Sequence, residues 1–280
     1  MNHPGWAART VACAVVVLLA GAGVLWWVSR AQTPDASTPQ PLRVAAAISL
    51  QEVLGELART YEDRSGQPVE LTFGSSGQIA AQVASGAPID LLISAAHSPL
   101  TDLAASGRVE METARIIARN RLVLVVPAAA AQAPTGFTDL ASPTVRRLAV
   151  GQPETVPAGQ YAQQVLGHLG LDETLRGRIV YATNVRQVLS YVLRAEVSAG
   201  IVYQTDVRAA GDGVRVVATA DQAWHEPIEY PAVIVTAVQT HAEAQEFLEF
   251  LASPEATSIL RARGFEAPSE ERVVPHGAGE

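Results

Sequence analysis

Short apolar runs alternate with longer amphipathic stretches along most of the chain. The amphipathic stretches repeat apolar residues at intervals of three and four, which is typical of helices that bury one face. The apolar runs are rich in branched residues and predict nine strands: "RVAAAI", "VELTF", "IDLLIS", "RLVLVVP", "RLAVG", "RIVYAT", "GIVYQT", "VRVVA" and "AVIVT". Strands that alternate with helices indicate parallel βαβ units, so the pattern predicts an α/β fold.

The first amphipathic stretch shows the helical period most clearly. Gly66 stands where this helix should end, and the predicted buried face consists of Leu50, Val53, Leu54, Leu57, Ala58 and Tyr61. Ser49 precedes the helix, and Glu52 follows it at the spacing of a capping box. This stretch therefore predicts Ser49 as a helix cap, and a ligand contact at the end of the strand is the alternative.

A second predicted helix follows a glycine and serine turn in "FGSSGQIAAQVASG". Ser75 and Gln78 again have capping-box spacing, and Ser76 adds a second hydroxyl beside them. The flanking glycines let backbone amides approach a small ligand closely. This turn is a second candidate for polar contacts at a strand end.

Two later helices also begin directly after strands. Pro157 suits a first helical turn and leaves the N–H of Ala158 free, while Asn184 suits a cap and leaves the N–H of Val185 free. In open α/β sheets ligands bind at the carboxyl ends of the strands, and helix amino ends favour negative charge. A cleft made only of such donors would select a fully deprotonated oxyanion.

The amino-terminal segment predicts export. Val11 to Val28 is a run of eighteen uncharged residues between Arg9 and Arg30, which fits either a cleaved secretory signal or a retained signal-anchor. The protein is therefore expected in the periplasm or outside the cell, with anchoring through residues 11–28 as the alternative. The single cysteine, Cys13, lies within this run, so no disulfide can form within one chain.

Charge and motif content exclude several functional classes. The chain has a net charge of −8, and removal of residues 1–31 makes it −10, which argues against a nucleic-acid partner. The six histidines are scattered, no cysteine remains after residue 31, and neither a nucleophile elbow nor a Walker loop occurs. An enzyme, a cation site and a bound cofactor are therefore not expected.

The combination of motifs resembles the periplasmic molybdate-binding proteins of ABC importers. The matching segments run in order from Leu42 to about Phe265: "AAAISL", "FGSSG", "GAPIDLLISA", "ARNRLVLVVP", "RLAVGQPETVPAGQYA", "NVRQVL" and "GIVYQTDV". The resemblance implies a type II periplasmic-binding-protein fold, with two α/β lobes and a ligand cleft between them. It also implies that the molybdate ligands are the hydroxyls of Ser49 and Ser76, the amides of Ala158 and Val185, and the phenol of Tyr203.

The implied organisation is a two-lobed protein in which the chain crosses between lobes near Asn120 and Glu229. The expected segments are an export segment 1–31, a linker 32–41, a first lobe of 42–120 plus 229–268, a second lobe of 121–228 and a flexible tail 269–280. The resemblance implies a monomer that captures molybdate, and tungstate too, for a membrane permease with a cytoplasmic ATPase. The alternatives are another tetrahedral oxyanion such as sulfate, an exported serine hydrolase, or a purely structural role.

Overall fold

The computed structural model describes residues 39–236 and 238–268. The predicted export segment 1–31, most of the linker 32–41 and the tail 269–280 lie outside the described residues. The chain divides into a unit Met1–Gln40 and a unit Pro41–Glu280, and every element named below belongs to the second unit. Within the described ranges, no helix is both long and apolar enough to cross a membrane.

The described residues form ten strands in two sheets of five. The strands are β1 (Leu42–Ala47), β2 (Val69–Gly74), β3 (Leu91–Ile93), β4 (Arg115–Arg119), β5 (Leu122–Pro127), β6 (Leu148–Gly151), β7 (Ile179–Ala182), β8 (Ala199–Tyr203), β9 (Val214–Thr219) and β10 (Glu229–Ile234). The first sheet has the order β2-β1-β3-β10-β4, and the second has the order β7-β6-β8-β5-β9.

Helices connect and cover the strands. They are α1 (Gln51–Ser65), α2 (Ser76–Ala84), α3 (Ser98–Ala105), α4 (Pro157–His168), α5 (Asp172–Leu175), α6 (Val185–Leu193), α7 (Gln204–Ala210), α8 (His241–Leu251) and α9 (Pro254–Ala262). A short 3-10 turn, Ile48–Leu50, joins β1 to α1. The predicted period of α1 is confirmed, because its apolar face is buried and Gly66 ends it in the left-handed region at φ 74°.

The two sheets have the same plan. In each, three parallel strands are followed by one strand that runs antiparallel to its neighbours: β10 lies between β3 and β4, and β5 lies between β8 and β9. The chain enters β5 directly after leaving the first sheet, and it enters β10 directly after leaving the second. The first strand after each crossover is therefore the antiparallel strand of the sheet that the chain has just entered.

The nine predicted strands are all present, but the sequence pattern missed one and misplaced another. β4, "RIIAR", was not predicted, and β10 begins at Glu229, three residues before the predicted run "AVIVT". Pro231 lies inside β10 and has no N–H for the ladder, and the register with β4 shifts at Tyr230 and Pro231. The bulge accommodates the proline that obscured this strand in the sequence.

Candidate functional site

The five predicted ligand residues line one cleft between the two sheets. The lining residues lie close together and leave a cavity of only about 10 Å³. Its lining consists of Ala47, Ile48, Ser49, Gly74, Ser75, Ser76, Ala95, Val156, Pro157, Ala158, Val185 and Tyr203. None of these described residues carries a charged side chain, so the polar groups of the cleft are hydroxyls and backbone amides.

Ser49 does not cap the first helix, and the capping prediction for "SLQE" is wrong. The 3-10 turn Ile48–Leu50 places Leu50, not Ser49, before α1, and no side chain caps that helix. Ser49 is buried, and its Oγ lies 3.0 Å from the hydroxyl of Tyr230. The extra turn moves the serine away from the helix amides and into the cleft wall.

Ser75 and Ser76 have different roles. Ser75 caps α2 as predicted, because its Oγ accepts the Gln78 N–H at 3.4 Å while the Gln78 side chain accepts the Ser75 N–H. Ser76 is the first residue of that helix, and its Oγ accepts the Ala95 N–H at 2.9 Å. This bond uses only one lone pair of the oxygen, so the Ser76 proton is still available to donate to a ligand.

Ala158 and Val185 lie in the first turns of α4 and α6, as predicted. The amides of Gly159 and Gln160 both donate to the Val156 carbonyl, and Pro157 has no N–H, so Ala158 supplies the first free amide of α4. In α6, the Asn184 side chain accepts the Gln187 N–H at 3.0 Å and confirms the predicted cap. Val185 is the first residue of α6, so its N–H has no acceptor within its own helix.

Tyr203 ends β8 and is fully buried. Among the described residues its hydroxyl has no hydrogen-bond partner. Burial raises the pKa of this phenol well above its usual value, so it remains protonated and can donate. An orphan buried hydroxyl costs on the order of 1–3 kcal/mol, which a ligand oxygen would recover.

A buried ion pair supports the Tyr203 strand end. Asp206 Oδ2 accepts the Tyr203 N–H at 3.2 Å. Asp206 Oδ1 lies 3.1 Å from Arg186 Nε, and these two atoms form an ion pair whose geometry does not meet the criteria for a hydrogen bond. Burial raises the pKa of Asp206 to about 7, and the nearby Arg186 charge opposes that rise. Arg186 also pairs with Glu52 on α1, so this cluster joins the two lobes beside the cleft.

Two further residues of the site were missed by sequence reasoning. The Asn120 Nδ2 donates to the Tyr230 hydroxyl at 3.1 Å, and that hydroxyl contacts Ser49. Tyr230 lies 181 positions from Ser49 along the chain, so no local pattern connects them. Asn120 was recognised only as the place where the chain crosses between lobes.

Most of the second unit matches a known protein family. Residues 42–266 match the bacterial extracellular solute-binding proteins. The chain belongs to this family. Together with the molybdate-binding relatives described next, this match confirms the resemblance found in the sequence and the expected two-lobed fold. Among the described residues there is also no group of three or more histidine, cysteine or acidic side chains that could hold a metal ion.

Individual solute-binding proteins resemble the chain over most of their length. YvgL of Bacillus subtilis, provisionally named an ABC transporter substrate-binding lipoprotein, is 37% identical over 240 residues, which cover 85% of this chain and 91% of YvgL. The molybdate-binding protein ModA of Escherichia coli is 36% identical over 230 residues, covering 80% and 88%. The periplasmic molybdate-binding protein of Azotobacter vinelandii superposes with a TM-score of 0.73 at 28% identity, covering 81% of this chain and all of that one.

Proposed function

We propose that this protein captures molybdate, and also tungstate, outside the cytoplasmic membrane and delivers it to an ABC-type permease driven by a cytoplasmic ATPase. The observation that carries the proposal is the fully buried hydroxyl of Tyr203, which has no hydrogen-bond partner in residues 39–236 and 238–268 and lies on the wall of an uncharged cleft. The ModA relatives are named for molybdate binding, and YvgL is named for an ABC transporter. These names support the choice of ligand and of partner.

The donor set supports an oxyanion rather than a cation. Ser49, Ser76 and Tyr203 supply hydroxyls, and Ala158 and Val185 supply amides at helix amino ends. These five groups would hold the oxygens of molybdate, and the metal atom itself would touch no protein atom. Helix amides stabilise a dianion without a counter-ion, so binding requires no buried arginine or lysine.

Lobe closure is the mechanism that fits this arrangement. The strand membership of the sheets supports a first lobe of residues 42–120 with 229–268, a second lobe of 121–228, and hinges near Asn120 and Glu229. Two serines of the first lobe face two amides and a phenol of the second. A ligand that needs both sets stabilises the closed form over the open form.

Binding without catalysis is the better interpretation of the serines. A serine nucleophile needs a base within hydrogen-bond reach of its hydroxyl. Ser49 contacts a tyrosine hydroxyl and Ser76 accepts a backbone N–H, and neither meets a histidine or carboxylate among the described residues. We therefore propose that the protein is a monomeric binding protein and not an enzyme.

Titration calorimetry of the purified, anion-free protein tests the function. Molybdate, tungstate, sulfate and phosphate are titrated in one buffer. We expect one-to-one binding of molybdate and tungstate, and much weaker binding of sulfate, whose smaller radius leaves some rigid donors out of reach. A preference for sulfate would keep the oxyanion site and change its substrate, while binding of none of the four would overturn the proposal.

A further inference from the structure

One ion pair crosses between the two lobes beside the cleft. Arg186 of α6, in the second lobe, pairs with Glu52 of α1, in the first. Neither residue belongs to the lining of the cleft, so the pair does not contact a ligand there. In the part of the chain that the structure describes, the other interlobe ion pair joins Arg121 to Glu266 at the chain crossing itself. Residues at a crossing move least when the lobes separate, so the pair between Glu52 and Arg186 is the one that responds to closure.

The positions of these two residues link the ion pair to the ligand donors. Glu52 lies three residues after Ser49, in the first turn of the helix that follows it, and Arg186 directly follows Val185. An opening movement that separates the Ser49 hydroxyl from the Val185 amide therefore also separates Glu52 from Arg186. The ion pair forms when the donors of the two lobes face each other.

Asp206 holds Arg186 in place for this contact. Asp206 is fully buried in the second lobe, and its Oδ1 lies 3.1 Å from Arg186 Nε. The Arg186 side chain is only 18% exposed, whereas that of Glu52 is 51% exposed. Since the guanidinium is already oriented within its own lobe, only the glutamate side chain has to be ordered on closure. Less conformational entropy is lost when the ion pair forms.

We propose that Glu52 is a positioning residue that pairs with Arg186 when the lobes close and thereby lengthens the time for which a bound anion is retained. The inference rests on the proposed function and adds to it a kinetic role for a residue outside the cleft. Because the ion pair belongs to the closed form, it stabilises that form whichever anion is bound. It should therefore slow the release of molybdate and tungstate by the same factor and leave the preference between them unchanged.

The Glu52→Asp variant tests the ion pair with the charge retained. The shorter side chain keeps a carboxylate at the amino end of α1, where negative charge is favourable, but withdraws it from Arg186 by one methylene group. Release of radiolabelled molybdate from the purified protein is followed after addition of excess unlabelled molybdate. We expect release to be about 2- to 5-fold faster than from the wild type, as for one partly exposed ion pair. The ratio of molybdate to tungstate affinity, measured by calorimetry, should not change.

Ionic strength provides a second measurement. Raising it from about 0.01 M to about 1 M shortens the screening length from about 30 Å to about 3 Å. Molybdate release from the wild type should then accelerate relative to release from Glu52→Gln, because only the wild type has the ion pair between Glu52 and Arg186 to screen. Screening of the repulsion between Glu52 and the bound anion would act in the opposite direction.

Glu56→Asp is the matched control. Glu56 lies one turn further along α1, and its carboxylate accepts a hydrogen bond from Arg263 Nε at 2.8 Å within the first lobe. The variant makes the same chemical change on the same helix and leaves every interlobe ion pair intact, so it should release molybdate at the wild-type rate. Equal acceleration in Glu56→Asp and Glu52→Asp would assign the effect to α1 and overturn the inference.

The remaining outcomes distinguish this inference from the proposed function. Thermal unfolding of the anion-free protein should be the same for Glu52→Asp and the wild type, and a lower unfolding temperature of the variant would make Glu52 a residue that stabilises the fold instead. If the wild type binds molybdate and both Glu52 variants release it at the wild-type rate, the role in closure is wrong and the function stands. If the wild type binds none of the four anions, both proposals fall.

Discussion

The Gly77 N–H donates a hydrogen bond to the Thr155 carbonyl oxygen at 3.0 Å, which joins the backbones of the two lobes at the rim of the cleft. Gly77 follows Ser76 in the first turn of α2, and Thr155 precedes the start of α4. A Cβ added at Gly77 would lie 2.7 Å from that oxygen. The absence of a side chain here allows the two halves of the donor set to approach each other.

We expect Gly77→Ala to weaken molybdate binding by about 1–3 kcal/mol, because the lobes can no longer close to this distance. Stability of the ligand-free protein should not fall, since alanine favours a helix over glycine and open lobes avoid the clash. Calorimetry and thermal unfolding measure the two effects. Gly136→Ala is the control, because a Cβ there meets nothing within 4 Å. Equal affinities for Gly77→Ala and wild type would show that closure does not need this contact.

Tyr203→Phe should affect affinity and stability in opposite directions. Loss of one donor should weaken molybdate binding by about 0.5–2 kcal/mol. The ligand-free protein should unfold at the same or a higher temperature, because the variant removes a buried hydroxyl that has no partner among the described residues. Tyr181→Phe, on an exposed side chain of β7, should change neither quantity. Unchanged molybdate affinity would remove Tyr203 from the site.

Asp206 should make stability fall as pH rises. Its ordinary pKa is 3.8 and its pKa in the folded protein is raised to about 7, chiefly by burial. Between these values the folded state binds more protons than the unfolded state, so the free energy of unfolding decreases with increasing pH. The contribution of Asp206 is fully present below about pH 4 and is lost as pH rises through about 7.

The Asp206→Asn variant isolates this effect. Denaturant unfolding is measured from about pH 5 to about pH 8 for the variant and the wild type. We expect the wild type to lose on the order of 1–4 kcal/mol relative to the variant across this range, because the variant has no carboxyl to ionise. Parallel pH profiles for the two proteins would mean that Asp206 stays ionised with Arg186 throughout.

Local sequence patterns predicted much of the fold and three of the four helix starts around the cleft. The apolar period fixed the buried face of α1, and the preferences of Ser75, Pro157 and Asn184 placed the ends of three helices correctly. These features depend on residues close together in the chain. Tyr203 was different, because a tyrosine at a strand end usually packs, and only the family resemblance indicated a ligand role.

The failures arose where distant parts of the chain determine local structure. A capping box at Ser49 satisfied every local rule, yet a 3-10 turn moves that serine beside Tyr230, which comes from a strand near the other end of the fold. β4 is short and bounded by arginines, so it lacks a clear apolar run. Its partner β10 contains a proline that normally argues against a strand.

The position of β10 has a consequence for the order in which the protein can be assembled. All five strands of the second sheet lie within residues 122–219, whereas the first sheet lacks the strand between β3 and β4 until residue 229 has emerged. Closing that gap joins segments more than a hundred residues apart, which is slow relative to local pairing. The second lobe can therefore fold while the first still lacks its fourth strand, and the cleft between the two lobes is completed only after β10 has joined the first sheet.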